Sequence, residues 1–300
     1  MRVRSGLSAV LPTRGRAGAA ALVALGFAAA CGGARAQEAR ITYDMSLAGL
    51  PLGQATLAAT LEGDRYKVDV TAKLQGLAAM VTSGRGSATA TGLVSAARVT
   101  PSGYVLSSSN GSETRTVRFT TPNGVAQSVE IVPPLDEKSD RVPVTDGHRR
   151  GIVDPVSALL MPVPASASPG AASAGGAAGA PREAAACERT IPVFDGATRF
   201  DVRLTYAGTR EARAGGFNGP VVVCKARYVP IAGHRPARRA TQFMADNKDM
   251  EAWLAPIGRA GNGTVVYAPV RIAVRTLVGQ TIIQASNVQL EGPRRAEAPR

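Results

Sequence analysis

Aromatic side chains are scarce in this chain, at 4% of 300 residues, and histidine occurs only twice. With one Trp, six Tyr and six Phe, any core must be built mainly from Ala, Val, Leu and Ile. The two histidines lie among turn residues and arginines, in Asp146-Gly147-His148-Arg149-Arg150 and Gly233-His234-Arg235-Pro236. Neither has metal-ligand spacing, and the neighbouring guanidiniums disfavour a cation. Residues 37–300 contain no GxSxG elbow, no P-loop and no CxxC pair, which removes the recognisable signals for a serine nucleophile, a phosphate cradle and redox catalysis. Gly84-Arg85-Gly86 lacks the third glycine of a dinucleotide loop. No stretch reaches 18 consecutive apolar residues, so no membrane-spanning helix is predicted. Charged residues make up only 19%, and 45% are hydrophobic, which excludes a disordered polyampholyte. The sequence identifies no reaction and no cofactor.

What is present begins with an export pattern. Arg2, Arg4, Arg14 and Arg16 precede an uncharged run from Ala17 to Ala30, and Ala34-Arg35-Ala36 offers a small-x-small cleavage site before Gln37. Residues 1–36 therefore read as a signal peptide, and the mature chain as periplasmic. Ala28-Ala29-Ala30-Cys31 is a rival ending, that of a lipoprotein, although Ala28 stands where leucine is usual. Loss of residues 1–36 takes away five arginines and no acid, so the net charge of +13 becomes +8. An exported basic protein meets envelope anions rather than nucleic acid, and net charge also serves solubility alone.

Once Cys31 leaves, Cys187 and Cys224 remain. An even pair in an oxidising compartment predicts a disulfide. Its loop of about 37 residues is worth about 4 kcal/mol by the chain-entropy model. A free thiol or a metal ligand is the alternative.

Residues 41–160 read as successive short strands. Ile41, Tyr43, Met45 and Leu47 alternate with polar residues, as do Ala55 to Leu61 and Tyr66 to Leu74. A period of two buries one face of a strand and solvates the other. Glu62-Gly63-Asp64, Pro122-Asn123-Gly124 and Asp195-Gly196 are hairpin signals. The small residues of Gly84–Thr91 suit a sharply curved strand. Leu74 to Val81 has helical spacing, and Asp154-Pro155 reads as the cap and first position of a helical turn. Residues 162–186 are Pro, Ala, Ser and Gly with hardly a charge, which predicts a flexible surface insertion unable to form core. Strands resume through Phe200–Tyr206, Val222–Tyr228, Ala252–Leu254, Val270–Val274 and Thr281–Leu290. About a dozen strands with one or two short helices predict an all-β fold, a large antiparallel sheet, sandwich or barrel, in a single domain over 37–300.

The ordered set Gly49-Leu50-Pro51-Leu52-Gly53, Asp154-Pro155-Val156-Ser157, Val193-Phe194-Asp195-Gly196, Arg199-Phe200-Asp201, Cys224, Tyr228-Val229-Pro230-Ile231-Ala232-Gly233, Trp253-Leu254-Ala255 and Pro269-Val270-Arg271-Ile272 resembles the exported proteobacterial family of domain of unknown function 3108. The resemblance covers roughly 38–292 apart from the insertion. It implies a periplasmic curved sheet closing into a spiral β-roll or barrel around a helix or cavity, and a role in envelope integrity. It implies no catalytic residue.

The candidate binding residues are Arg227, Arg235, Arg238 and Arg239, whose guanidiniums are suited to grip phosphate or carboxylate. Their alternative is a solvated basic loop. Asp44, Asp69 and Asp201 read as surface acids, and Trp253, Tyr43, Tyr66 and Phe119 as core. The expected function is a non-catalytic envelope protein binding an amphiphile or a protein partner. Lipid or another envelope component is the candidate partner. An envelope-polymer hydrolase with dispersed carboxylates and a structural module using sheet edges or the insertion are the competing readings.

Overall fold

Period-two alternation is converted into burial along the strands. In β1 (Gln37–Leu47), Ile41 and Tyr43 are buried while Arg40 and Asp44 are exposed. In β3 (Arg65–Leu74), Tyr66 and Val68 are buried between exposed Arg65 and Lys67. A computed structural model describes residues 36–75, 84–165 and 182–292. The remaining strands are β2 (Leu50–Glu62), β4 (Arg85–Val94), β5 (Val99–Ser109), β6 (Thr114–Thr120), β7 (Gln127–Val132), β8 (Met161–Val163), β9 (Arg189–Phe194), β10 (Arg199–Ala214), β11 (Phe217–Ala232), β12 (Met250–Arg259), β13 (Val265–Thr276) and β14 (Gly279–Glu291), with one helix, α1 (Arg239–Asp246), among the described residues. The described residues form one unit by their contacts.

The sheet is a single antiparallel ladder in the order β7-β6-β5-β4-β3-β2-β1-β14-β13-β12-β11-β10-β9, with β8 added beside β13. The first and last described strands, β1 and β14, pair along nearly their whole length, from Glu38↔Glu291 to Leu47↔Thr281. The Gly63-Asp64, Pro122–Gly124 and Asp195-Gly196 signals all fall on hairpin connections. Asn123 and Gly124 take positive φ.

Two expectations need correction. The hydrogen-bonded ladder does not close, because β7 and β9 do not pair; residues 150–160 lie between the sheet's two ends instead. Val125 bridges Arg150 and Val153 bridges Val193. Ile152, Val156 and Leu160 are buried there. The two ends meet through packing, since Phe119 of β6 contacts both Tyr104 (5.1 Å between centroids) and Phe194 of β9 (5.5 Å). Nor is all of 162–186 surface insertion. Met161–Val163 pairs with Val265–Tyr267, and Arg182–Ala186 forms a 3-10 turn with Ala184 and Ala186 buried. Alanine is small enough to pack there, so a composition without large residues still supplies core; residues 166–181 lie outside the described residues, as do 76–81 of the helix expected at Leu74–Val81, whose Leu74 ends β3.

Two apolar clusters result. The larger joins β1–β6 to the inner residues of β12–β14 and includes Ile41, Leu57, Tyr66, Val68 and Phe119. The smaller surrounds Cys187 and Cys224 with Val163, Ile191, Val193, Leu204, Val222, Leu254 and Tyr267. β4 owes its composition to its neighbour: a Cβ at Gly92 would lie 2.3 Å from the Thr100 carbonyl oxygen and 2.6 Å from the Tyr66 hydroxyl.

Candidate functional site

Cys187 and Cys224 form the expected disulfide, with Cα atoms 5.3 Å apart. It ties the 3-10 turn before β9 to β11, and both cysteines are fully buried. The thiols are thereby structural, and a redox or metal role for them does not arise.

The four arginines do not act as one cluster. Arg235 Nε donates to both carboxylate oxygens of Asp140, at 2.7 and 2.8 Å. The guanidinium beside Asp140 holds that carboxyl below the ordinary range, by hydrogen bonding first. Arg227 donates to the Ala245 carbonyl near the C-terminus of α1, a favourable end for a cation. Only Arg238 and Arg239, at the N-terminus of α1, are exposed. Sequence proximity was the only basis for grouping them, and it carries no information on these partners.

The remaining candidates are accounted for locally. His148 Nδ1 accepts the Thr145 N–H at 3.1 Å and so caps a 3-10 turn. Asp201 is not a surface acid: it pairs with Arg199 at 2.6 Å, and its side chain is only 17% exposed. Trp253 packs against the larger core, and the Arg210 and Arg271 guanidiniums each lie over its ring, at 5.6 and 5.4 Å from the centroid. Tyr43, Tyr66 and Phe119 are in the core. Among the described residues, no group of three or more His, Cys, Asp or Glu could hold a metal ion.

The feature that residue patterns did not reveal is a fork in the sheet. β11 pairs with β12 only from Val222 to Lys225, whereas β10–β11 pairing continues to Ala232. Lys225 pairs with Glu251, the second residue of β12, so beyond Lys225 β11 runs on without β12 beside it, and α1 lies in the connection between the two strands. The fork encloses a groove of about 270 Å³. Phe200, Val202 and Leu204 of β10, Ala226 and Tyr228 of β11, and Ile272 and Val274 of β13 line it, with Met244 of α1 and Met250 of β12. Phe200 and Tyr228 touch at 5.1 Å between centroids. Most of these side chains are half-buried, an unusual state for so many apolar strand residues together. The methionines add adaptable, polarisable contact.

The groove has one carboxylate among its described lining residues, Glu251, and no serine or histidine. Glu251 accepts from Lys225 Nζ (2.7 Å) and Trp253 Nε1 (2.5 Å). Burial pushes its pKa up, but these hydrogen bonds and the Lys225 charge outweigh that and hold it below the ordinary range. It is therefore an ionised, fully engaged group rather than a proton donor.

The chain is similar in fold to a solved structure described as a β-barrel-like protein of domain of unknown function DUF1849 from Brucella abortus, at 10% identity and a TM-score of 0.47, covering 86% of this chain and all of that one. A comparison with curated proteins finds no match. The model of the family described as protein of unknown function, DUF3108, matches residues 42–285. With that match spanning most of its length, the chain belongs to the DUF3108 family.

Proposed function

We propose that the protein is a non-catalytic envelope component that holds the apolar chain of an amphiphile in the fork between β11 and β12. The observation that carries this reading is the groove itself, apolar around nearly all its lining and left open by the end of β11–β12 pairing. Its volume lies near the lower end of small-ligand sites, roughly 300 Å³, which suits one acyl chain rather than several. The signal pattern of residues 1–36 and the buried disulfide support an exported, periplasmic setting. The engaged state of Glu251 favours binding over hydrolysis.

Two measurements test the proposal: native mass spectrometry of protein isolated from the periplasm, and titration with the fluorescent fatty acid cis-parinaric acid. A co-purifying amphiphile and saturable fluorescence, displaced by palmitate and abolished by Ile272→Glu or Val202→Glu, are expected. Absence of both bound amphiphile and saturable fluorescence in folded wild-type protein overturns it.

A further inference from the structure

Antiparallel hairpins place alternate turns on opposite rims of a sheet. The β1–β2 turn at Ala48-Gly49 and the β13–β14 turn at Leu277-Val278 fall on the same rim, because Leu47 pairs with both Leu50 and Thr281. The two turns also touch. Ala48 N–H donates to the Gln280 carbonyl at 2.8 Å, and a Cβ at Gly279 would lie 2.7 Å from that of Ala48. Together they expose Leu50 (64%), Leu277 (45%) and Val278 (71%). Leu93 and Leu290 are also exposed, but they sit on β4 and β14 with three strands between them. Isolated surface leucines need no explanation, whereas adjoining apolar tips do.

The same rim is basic. Lys73 and Arg85 face each other across β3–β4, and Lys73 pairs with Gln54, four residues behind Leu50. At about 3.3 Å per residue that sets the two charges about 13 Å behind the tip. Like charges directly opposite destabilise a sheet, and neither has a carboxylate partner among the described residues. Arg238 and Arg239 join them on α1. The segment after that helix is bound to the β13–β14 hairpin, since Asn247 Nδ2 donates to the Arg275 carbonyl at 2.8 Å, two residues before Leu277. Most acids of this rim are engaged: Glu113 pairs with Arg115, Asp249 lies 3.6 Å from Arg275, Asp140 pairs with Arg235, and Asp195 accepts from Ala197 and Thr198 within its own turn, while Asp44, Glu137 and Asp246 have no ion-pair partner among the described residues.

We propose that this rim docks onto an anionic lipid surface. Leu50, Leu277 and Val278 enter the headgroup–acyl boundary, where amphipathic elements insert about 5–10 Å. Lys73, Arg85, Arg238 and Arg239 meet the headgroup phosphates, each basic residue near the surface being worth about 1 kcal/mol. Val274 of the groove lies three residues before Leu277, so docking brings the groove to the bilayer. The docking itself stands without a groove ligand.

The experiment is co-sedimentation of the exported protein with vesicles of phosphatidylethanolamine and phosphatidylglycerol, and separately of phosphatidylcholine. Binding to the anionic vesicles, weakened by salt, is expected. The triple variant L50S/L277S/V278S loses about tenfold or more of that binding. K73Q/R85Q loses roughly thirtyfold on anionic vesicles, the equivalent of two such charges, and changes nothing on phosphatidylcholine. L93S, on the far rim, binds as wild type; no variant melts below wild type, and K73Q/R85Q melts at or above it because the like-charge pair is gone. The proposal is overturned if wild-type protein ignores both vesicles, if L93S loses as much as the tip variant, or if the rim instead mediates a dimer that the tip variant abolishes.

Discussion

The Tyr66 hydroxyl lies 2.6 Å from Ser157 Oγ, joining side chains 91 residues apart. Ser157 gives its own proton to Asp154 Oδ2 at 2.5 Å, so Tyr66 is the donor to Ser157. Asp154 Oδ1 accepts the N–H groups of Val156 and Ser157 at 3.0 and 2.8 Å. This relay pins residues 154–160 against β3, and that segment fills the gap between the sheet's two ends. Tyr66→Phe and Ser157→Ala should each lower stability by about 1–2 kcal/mol. Because the partners share one network, the double variant should cost less than their sum. Urea denaturation of the four proteins checks this; strict additivity would remove the relay.

Gly92 lies opposite Tyr66 in the β3–β4 register. A methyl group there would strike the Thr100 carbonyl and the Tyr66 ring and hydroxyl. Gly92→Ala should therefore destabilise by about 1–3 kcal/mol, although alanine ordinarily favours a strand over glycine. Combined with Tyr66→Ala, which clears part of the space, the glycine substitution should cost measurably less. Thermal unfolding of the single and double variants distinguishes this from a general glycine effect.

The clean alternation at Ile41–Leu47 and Tyr66–Leu74, and the hairpin chemistry at Gly63-Asp64 and Asp195-Gly196, are local, and they suffice to specify strands and their neighbours. Asp154-Pro155 likewise announces its turn. The open ladder, the fork at Lys225 and the filling of the gap by 150–160 depend on where distant strands stop pairing, which no local pattern encodes. The groove escaped for that reason: Phe200, Val202, Tyr228 and Val274 each look like ordinary inward strand residues. Arg227 and Arg235 show the reverse error, because neighbours in sequence suggested a shared site while Ala245 and Asp140 already engage them.

The disulfide closes 37 residues of sequence separation between the 3-10 turn and β11. The chain-entropy model assigns such a loop about 4 kcal/mol. Reduced and alkylated protein, or C187A/C224A, should unfold at clearly lower urea concentration with an unchanged fold at low denaturant. An unchanged midpoint would mean that the smaller core alone fixes the 3-10 turn onto β11.

Arg189 Nη2 donates to the Pro162 carbonyl at 2.8 Å and to the Ala185 carbonyl at 2.6 Å. One guanidinium thus holds both ends of the insertion, and burial lowers its pKa to about 10. Arg189→Met keeps the bulk but leaves two carbonyls without their donor, at a cost of about 1–3 kcal/mol. Arg189→Lys, with a single ammonium on a flexible stem, should recover only part of that. Hydrogen exchange of the β8–β13 amides should rise in both variants, more in Arg189→Met; unaltered protection there would show that β8 is held without the clasp.

Asp154 is fully buried, and desolvation raises its pKa above the ordinary value despite the hydrogen bonds from Ser157 and Val156 that lower it. A carboxyl whose folded pKa is raised binds its proton more tightly in the native state than in the unfolded one. Its contribution is therefore fully present below the unfolded value of about 3.9 and declines as pH rises through the folded pKa. Asp154→Asn removes this titration while keeping the shape. The stability of wild type relative to Asp154→Asn should fall as pH rises from about 4, by at most about 1.4 kcal/mol per unit within the window, and then level off. The lowered carboxyls of Asp69 and Glu251 titrate in both proteins and cancel from the difference. Urea midpoints of the pair between pH 3 and 8 measure it directly, and a difference that grows with pH would mean that the hydrogen bonds to the carboxylate outweigh its burial.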